Sequence, residues 1–174
     1  MAAGTLHDSR RALSHLLGKR GQGAVVQAVQ GNSAMISLAT AGPEIAACYP
    51  VMAELRPHLT AAEFVPRVLH LMNTTGFELA YLDDGGIKAV AGFRVSEWLH
   101  AGKYLEIEDL VATASARSKG YGGQLFDWLV AQAASRSCRQ LRLLSGVKRT
   151  DAHRFYLRKG MVIEAHYFSM NIQG

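Results

Sequence analysis

The stretch Tyr104–Leu129, YLEIEDLVATASARSKGYGGQLFDWL, carries most of the information about the architecture. Its beginning, as far as Val111, alternates apolar and acidic side chains, which predicts a β-strand. Its end places Leu125 and Leu129 on one helical face, which predicts an α-helix. Three glycines separate the two elements. A strand that feeds such a turn is typical of an anion site, because the backbone can approach the ligand and the first helical N–H groups lack partners.

The turn differs from two common phosphate-binding motifs. It has no Gly-Lys-Ser/Thr at the spacing of a P-loop, and Arg117 stands where a dinucleotide-binding fingerprint has its first glycine. The sequence at this point therefore predicts a site for an oxygen-rich anion of a different kind.

The predicted strand carries three acidic side chains. A regular alternation predicts two faces, with Leu105, Ile107 and Asp109 on one and Glu106, Glu108 and Leu110 on the other. The two glutamates would then share a face, about 6.6 Å apart along the strand.

The rest of the chain predicts an α/β domain, in the sense of one mixed sheet with helices on both faces. Pro50 should kink the first helix, Thr60 should cap the second together with Glu63, and Asp151 should cap the last. The predicted strands are 34–39, 77–82, 87–95, 104–111, 141–144, 161–163 and 166–170, and the predicted helices begin near residues 44, 61, 121 and 152.

Composition bounds the class of protein. A chain of 174 residues predicts one domain, and 49% hydrophobic with 19% charged residues is typical of a globular fold. No run of 18 apolar residues occurs, which excludes a membrane-spanning helix from the prediction. Cys48 and Cys138 show neither a metal-binding nor a disulfide pattern, so we expect no metal and a reducing, cytoplasmic location.

The basic residues are concentrated in one segment. Residues 117–160 hold ten Lys or Arg and two acids, whereas the whole chain has a net charge of only +5. This asymmetry is consistent either with an anionic partner for the basic segment or with an ordinary solvated face.

Two motifs together resemble a known family. Arg-x-x-Gly-x-Gly, at residues 117–122 directly after a strand, resembles the acetyl-CoA signature of the GNAT superfamily of N-acetyltransferases. The segment Asp151–Met161, DAHRFYLRKGM, is similar to the later helix of that family, where an aromatic pair precedes a glycine. The resemblance covers about residues 34–170. It implies a GNAT domain at 34–174, preceded by an N-terminal extension at 1–33.

The resemblance implies where acetyl-CoA binds. In the family, the backbone after the central strand bonds the pantetheine arm, which corresponds here to Leu110, Val111 and Ala112. The following turn holds the pyrophosphate through its N–H groups. The matching residues are Arg117, Ser118, Lys119, Gly120, Tyr121, Gly122 and Gly123.

The resemblance also implies the catalytic groups. A strand carboxylate often accepts the proton of the amine in the family, and both Glu106 and Glu108 are candidates for this base. The alternative for each glutamate is a pair with an arginine or the attraction of a cationic substrate. Tyr156 matches the tyrosine that protonates the departing thiolate, and its alternative is a core aromatic beside Phe155.

We therefore expect an N-acetyltransferase that moves an acetyl group from acetyl-CoA to a primary amine. A catalytically silent acyl-CoA-binding or sensing domain is the alternative, and a nucleic-acid binder is disfavoured by the absence of a helix-turn-helix or zinc pattern. The acceptor stays open among polyamines, aminoglycosides, amino-acid derivatives and protein amines, and a homodimer is also left open.

Overall fold

The computed structural model describes residues 27–28 and 34–172. In chain order the strands are β1 (Gln27–Ala28), β2 (Met35–Leu38), β3 (Phe77–Asp83), β4 (Ile87–Trp98), β5 (Gly102–Ala112) and β6 (Gln140–Leu143). The helices are α1 (Gly42–Ala53), α2 (Ala61–Thr75), α3 (Tyr121–Ser135) and α4 (Thr150–Arg158), with a short 3₁₀ turn at Ala114–Ala116.

The six strands form one sheet in the order β1 to β6. Every neighbouring pair is antiparallel except β5 and β6, which are parallel, so the sheet is mixed. One core packs α1 and α2 against the first face, and a second core packs α3 and α4 against the other. This confirms the predicted α/β architecture with helices on both faces.

Local signals explain how the first two helices begin and end. Thr60 caps α2 by accepting the N–H of Glu63, whose carboxylate accepts the N–H of Thr60 at 3.0 Å, as predicted. Gly76 ends α2 with a φ of +70°, a conformation that glycine adopts without strain. Helix α1 continues through Pro50 to its end at Ala53.

The central strand β5 contains a β-bulge that its sequence does not reveal. Ile107 pairs with Phe93 and Asp109 pairs with the adjacent Gly92, so Glu108 is an extra residue on its strand. A bulge of this kind reverses which face the following residues point to.

The predicted alternation is therefore wrong beyond Ile107. Asp109 lies on the α1 and α2 side, where it meets Arg56, and not beside Leu105 and Ile107. Leu110 packs in the α3 core instead of sharing a face with the glutamates.

Two further predictions at the C-terminal end are wrong. Helix α4 begins at Thr150 after the cap position Arg149, so Asp151 lies in the first turn and does not cap it. Residues 161–172 form no strand, because no neighbouring strand bonds to them.

Residues 27 and 28 belong to the predicted extension, yet they pair with β2 as the short strand β1. The rest of the extension lies outside the described residues. Within the described part of the chain, no helix is both long and apolar enough to span a membrane.

Candidate active site

Strands β5 and β6 separate part-way along their length. They pair from Tyr104 to Ile107 on β5, whereas β5 continues to Ala112. Over residues 110–112, the described part of the chain pairs β5 only with β4. The backbone groups of Leu110, Val111 and Ala112 that point away from β4 are therefore available to an extended ligand lying in the opening.

The glycine-rich turn presents backbone N–H groups beside this opening. Ser118 and Gly120 both have left-handed backbones, with φ values of +66° and +86°. A left-handed residue in a turn brings successive N–H groups to one side and makes an anion-binding concavity. Helix geometry adds the N–H groups of Tyr121, Gly122 and Gly123, which have no intrahelical acceptors.

Gly122 lies at the start of α3, beside the end of β5. A Cβ on Gly122 would lie 3.8 Å from the Cβ of Ala112, in ordinary contact. The absence of that carbon leaves the gap between strand end and helix start open for a ligand.

Two side chains of the turn, Arg117 and Tyr121, contact carboxylates elsewhere in the structure. Arg117 is mostly exposed and lies 3.6 Å from the carboxylate of Glu54. Glu54 also accepts from the Thr113 hydroxyl and the Ala114 N–H, each at 2.8 Å. The Tyr121 side chain is buried and donates to Asp84 at 2.6 Å, so Tyr121 faces the site only through its backbone.

Each predicted glutamate is paired with an arginine. Glu106 accepts from Arg142 at 3.1 Å, and the guanidinium of Arg142 lies over the rings of Trp98 and Tyr104. Glu108 forms an ion pair with Arg94. The pairing that the sequence left as an alternative is thus present at both positions.

Only one of the two glutamates lines a cavity. A cavity of about 200 Å³ opens between α2, the end of α1 and the bulge of β5, and Glu108 lines it whereas Glu106 does not. Its polar lining is Arg56, His58, Arg67, Glu108 and Asp109, and its apolar walls come from the α1 and α2 core.

Asp109 is a site residue that the sequence reasoning missed. Its Oδ1 accepts from the Nε of Arg56 at 2.7 Å, and Arg56 also donates to the carbonyl of Glu108 at 3.3 Å. Burial raises the pKa of Asp109 and outweighs the opposing effect of the Arg56 charge. The bulge carries this carboxyl into the cavity, and no local signal in the sequence predicts that bulge.

Tyr156 lies on α4, against the start of the α3 core. Its ring packs 6.3 Å from that of Phe126 and 5.3 Å from that of Phe155, between ring centroids. Burial raises the pKa of Tyr156, so the phenol keeps its proton at neutral pH. A protonated phenol is what proton donation to a thiolate requires.

Comparison with known proteins agrees with this geometry. The model of the Acetyltransferase (GNAT) family matches residues 44–161, which include the strand opening, the glycine-rich turn and α4. The chain belongs to the GNAT family of acetyltransferases. It is therefore an acyltransferase enzyme, and the family generally uses acetyl-CoA as its cosubstrate.

Two curated relatives are similar in sequence. An uncharacterized N-acetyltransferase of Bacillus subtilis is 37% identical over 131 residues, which cover 74% of this chain and 92% of the relative. An aminoalkylphosphonate N-acetyltransferase of Salmonella typhimurium is 32% identical over 80 residues, which cover 45% of this chain and 52% of the relative.

Solved structures share the GNAT fold at low sequence identity. A transcriptional regulator from Bacillus halodurans has a TM-score of 0.71 at 23% identity and covers 80% of this chain and 99% of its own. A GNAT family acetyltransferase from Staphylococcus aureus has a TM-score of 0.68 at 17% identity, and the match covers 80% of this chain and 98% of the Staphylococcus protein. Among the residues that the structure describes, no cluster of three His, Cys, Asp or Glu side chains could hold a metal.

Proposed function

We propose that this GNAT enzyme transfers the acetyl group of acetyl-CoA to a small primary amine. The observation that carries the proposal is the open edge of β5 beside the glycine-rich turn. The free backbone groups of residues 110–112 suit the amides of the pantetheine arm, and the N–H groups of Ser118 and of residues 120–123 suit the pyrophosphate. The basic side chains of Arg117 and Lys119 add positive charge at the same end.

We assign the role of general base to Glu108 in preference to Glu106. Both carboxylates are paired with arginines, but only Glu108 lines the cavity in which an amine can be held. A base must lie within hydrogen-bond reach of the proton that it takes, directly or through one water. Asp109 lines the same cavity, where its direct bond to Arg56 suits it to positioning.

The proposed step balances with these residues. Glu108 takes a proton from the incoming ammonium group and leaves a neutral amine. The amine nitrogen forms a bond to the thioester carbonyl carbon, the carbon–sulfur bond breaks, and Tyr156 gives its phenolic proton to the departing thiolate. The surplus proton on the nitrogen passes through solvent and restores the phenol, and Glu108 releases its own proton to solvent. The products are the amide, the free thiol and one proton.

The cavity supports an acceptor that combines the amine with an anionic group. Asp109 is paired with Arg56 and Glu108 with Arg94. Arg67 lies exposed at the cavity, forms no ion pair within 4.0 Å among the described residues and interacts only at longer range with Glu63. A guanidinium in this position can bind a carboxylate or phosphonate through two parallel hydrogen bonds. The Salmonella relative is named for an aminoalkylphosphonate acceptor, which is an amine of this class.

Thiol release from acetyl-CoA, measured with matched amines, tests both parts of the proposal. We expect 2-aminoethylphosphonate to react with a kcat/KM roughly 100-fold above that of ethylamine, because the anion adds a charge-assisted contact. An Arg67→Gln variant should raise KM for the phosphonate and leave ethylamine unchanged, while the control Arg154→Gln changes neither. Equal rates for both amines contradict the acceptor class, and no thiol release with any amine contradicts the transferase and favours an acyl-CoA-binding domain.

We further propose a cytoplasmic location, since the two cysteines form no disulfide pattern and the buried Cys48 simply packs in a core. The basic segment at 117–160 is assigned to the phosphates of acetyl-CoA and not to nucleic acid. DNA binding that falls steeply with added salt would contradict this assignment.

A further inference from the structure

One row of charged side chains crosses three neighbouring strands. Arg94 on β4 is the register partner of Glu106 on β5, and Glu106 is the register partner of Arg142 on β6. Register partners lie on the same face of a sheet, with Cβ atoms about 5 Å apart. Leu141 and Leu143, on either side of Arg142, pack in the α3 core, so the row lies on the face that also carries α1 and α2. Glu106 therefore stands between two arginines.

Among the described residues, Glu106 forms an ion pair with only one of these arginines. Arg142 donates to it at 3.1 Å, whereas Arg94 extends along the sheet to Glu108, the extra residue of the bulge. The charge of Glu106 still acts on Arg94. The pKa of Arg94 is raised chiefly by its hydrogen bond to Glu108, and the negative charge of Glu106 raises it further. Arg94 thus has two neighbouring carboxylates and pairs with one of them.

Two aromatic rings hold Arg142 beside Glu106. The centre of the guanidinium lies 3.4 Å from the ring centroid of Trp98 and 3.7 Å from that of Tyr104. Both distances are within the range of cation–π attraction, and a planar guanidinium stacks well on aromatic faces. The Nε of Arg142 is buried and has no hydrogen-bond partner among the described residues, so the two rings and Glu106 hold the group in place. Arg142 pairs with Glu106 in this position and leaves Arg94 to Glu108.

We propose that Arg142 is a positioning residue for the acetyl transfer and acts on Glu108 through Glu106 and Arg94. This inference rests on the proposed function, in which Glu108 is the base. Because Arg142 holds Glu106, Arg94 stays on Glu108 and orients its carboxylate at the cavity. Without Arg142, Glu106 would be an unpaired, mostly buried carboxylate opposite Arg94 and would compete for it. Glu108 would then lose the hydrogen bond that orients it, and a base out of position lowers the rate.

Steady-state kinetics with acetyl-CoA and an amine that the wild type acetylates test the proposal. Arg142→Gln should lower kcat roughly 10-fold and leave the KM for acetyl-CoA unchanged, because the glycine-rich turn is not affected. The double variant Arg142→Gln/Glu106→Gln should recover to within about twofold of Glu106→Gln, because no carboxylate at residue 106 then competes for Arg94. Arg139→Gln is the matched control, since Arg139 is an exposed arginine directly before β6, and it should keep the wild-type rate.

The double variant separates positioning from packing. Loss of the ring contacts alone would slow Arg142→Gln and the double variant equally, so a double variant without recovery overturns the proposal. An Arg142→Gln enzyme with the wild-type rate overturns it as well. The double variant leaves no unpaired charge in the row, so it tests the proposal even if the single variant folds poorly.

Crystal structures of the wild type and of Arg142→Gln test the same pairing without any turnover. We expect Arg94 on Glu108 in the wild type and on Glu106 in Arg142→Gln. Arg94 that stays on Glu108 in the variant overturns the proposal. A wild type that acetylates no amine would instead contradict the proposed function, and the two structures would still decide how Arg94 pairs.

Discussion

Arg56 donates from Nε to Oδ1 of Asp109 across 2.7 Å, which ties the segment just after α1 to the bulge in the central strand. The carboxyl is buried, and its burial raises the pKa more strongly than the neighbouring guanidinium lowers it. The pair therefore fixes the geometry of the cavity at a cost in stability when Asp109 is charged.

Asp109→Asn should become relatively more stable as the pH rises. Because the folded pKa of Asp109 is raised, the folded state binds more protons than the unfolded state above about pH 4, and the wild type loses stability as the pH increases through this range. The amide has no such proton to lose. Denaturant unfolding of both proteins between about pH 4 and pH 7 measures the difference. If the free energy of unfolding of Asp109→Asn falls relative to that of the wild type as the pH rises to about 7, the Arg56 ion pair outweighs burial.

Glu108→Gln should lower kcat by roughly 10²–10⁴-fold, because the amide cannot accept the proton of the amine. Glu106→Gln is the matched control, since Glu106 also pairs with an arginine but lies off the cavity. Turnover and CoA affinity are measured for both variants. The assignment is wrong if Glu106→Gln is the slower enzyme, or if both variants keep the wild-type rate.

Tyr156→Phe should slow turnover by roughly ten- to a thousandfold if departure of the thiolate limits the rate, because only the proton donor is lost. The melting temperature should hardly change, since the ring keeps its packing against Phe126 and the hydroxyl makes no hydrogen bond within the described residues. Tyr81→Phe, on β3 away from the turn, controls for removal of a hydroxyl. A stable Tyr156→Phe enzyme with full activity would leave Tyr156 only a packing role.

Gly122→Val should weaken CoA binding by at least tenfold, because the added carbons fill the gap toward Ala112. This variant is easier to interpret than one at Gly120, where the φ of +86° would strain any β-branched residue even without ligand. Gly42→Val, in open space at the start of α1, is the control. Calorimetry with CoA measures the affinity, and an unchanged value in a folded protein would place the cosubstrate elsewhere.

Sequence reasoning predicted the parts of the site that depend on local signals. The strand before residue 112, the glycine-rich turn and the helix that follows are specified by neighbouring residues, and the structure has them as predicted. Tyr156 was placed on a short helix by the same kind of signal. Its role and those of the glutamates stay predictions until the variants are measured.

The parts that the sequence did not predict depend on distant residues. Gly92 lies on β4 opposite the bulge. A Cβ at Gly92 would lie 2.5 Å from the ring of Phe77 on β3, so the ring occupies the space that a side chain at Gly92 would need. The arginines that pair with the carboxylates come from three separate parts of the chain, namely the segment after α1 (Arg56), β4 (Arg94) and β6 (Arg142). The strand pattern of residues 161–163 and 166–170 is visible in the sequence, but strand formation also requires a neighbouring strand, which a single sequence does not supply.

Glu54 connects the two ends of the site. Its carboxylate accepts from the Thr113 hydroxyl and the Ala114 N–H at the start of the 3₁₀ turn. Two residues further along the chain, Arg56 lines the cavity that we propose for the acceptor. We therefore expect that a movement of this segment on binding of one substrate alters the contacts offered to the other. Such linkage is reciprocal. If bound CoA changes the affinity for the amine by some factor, the bound amine changes the affinity for CoA by the same factor. Replacement of Glu54 would then uncouple the two affinities without removing either binding surface.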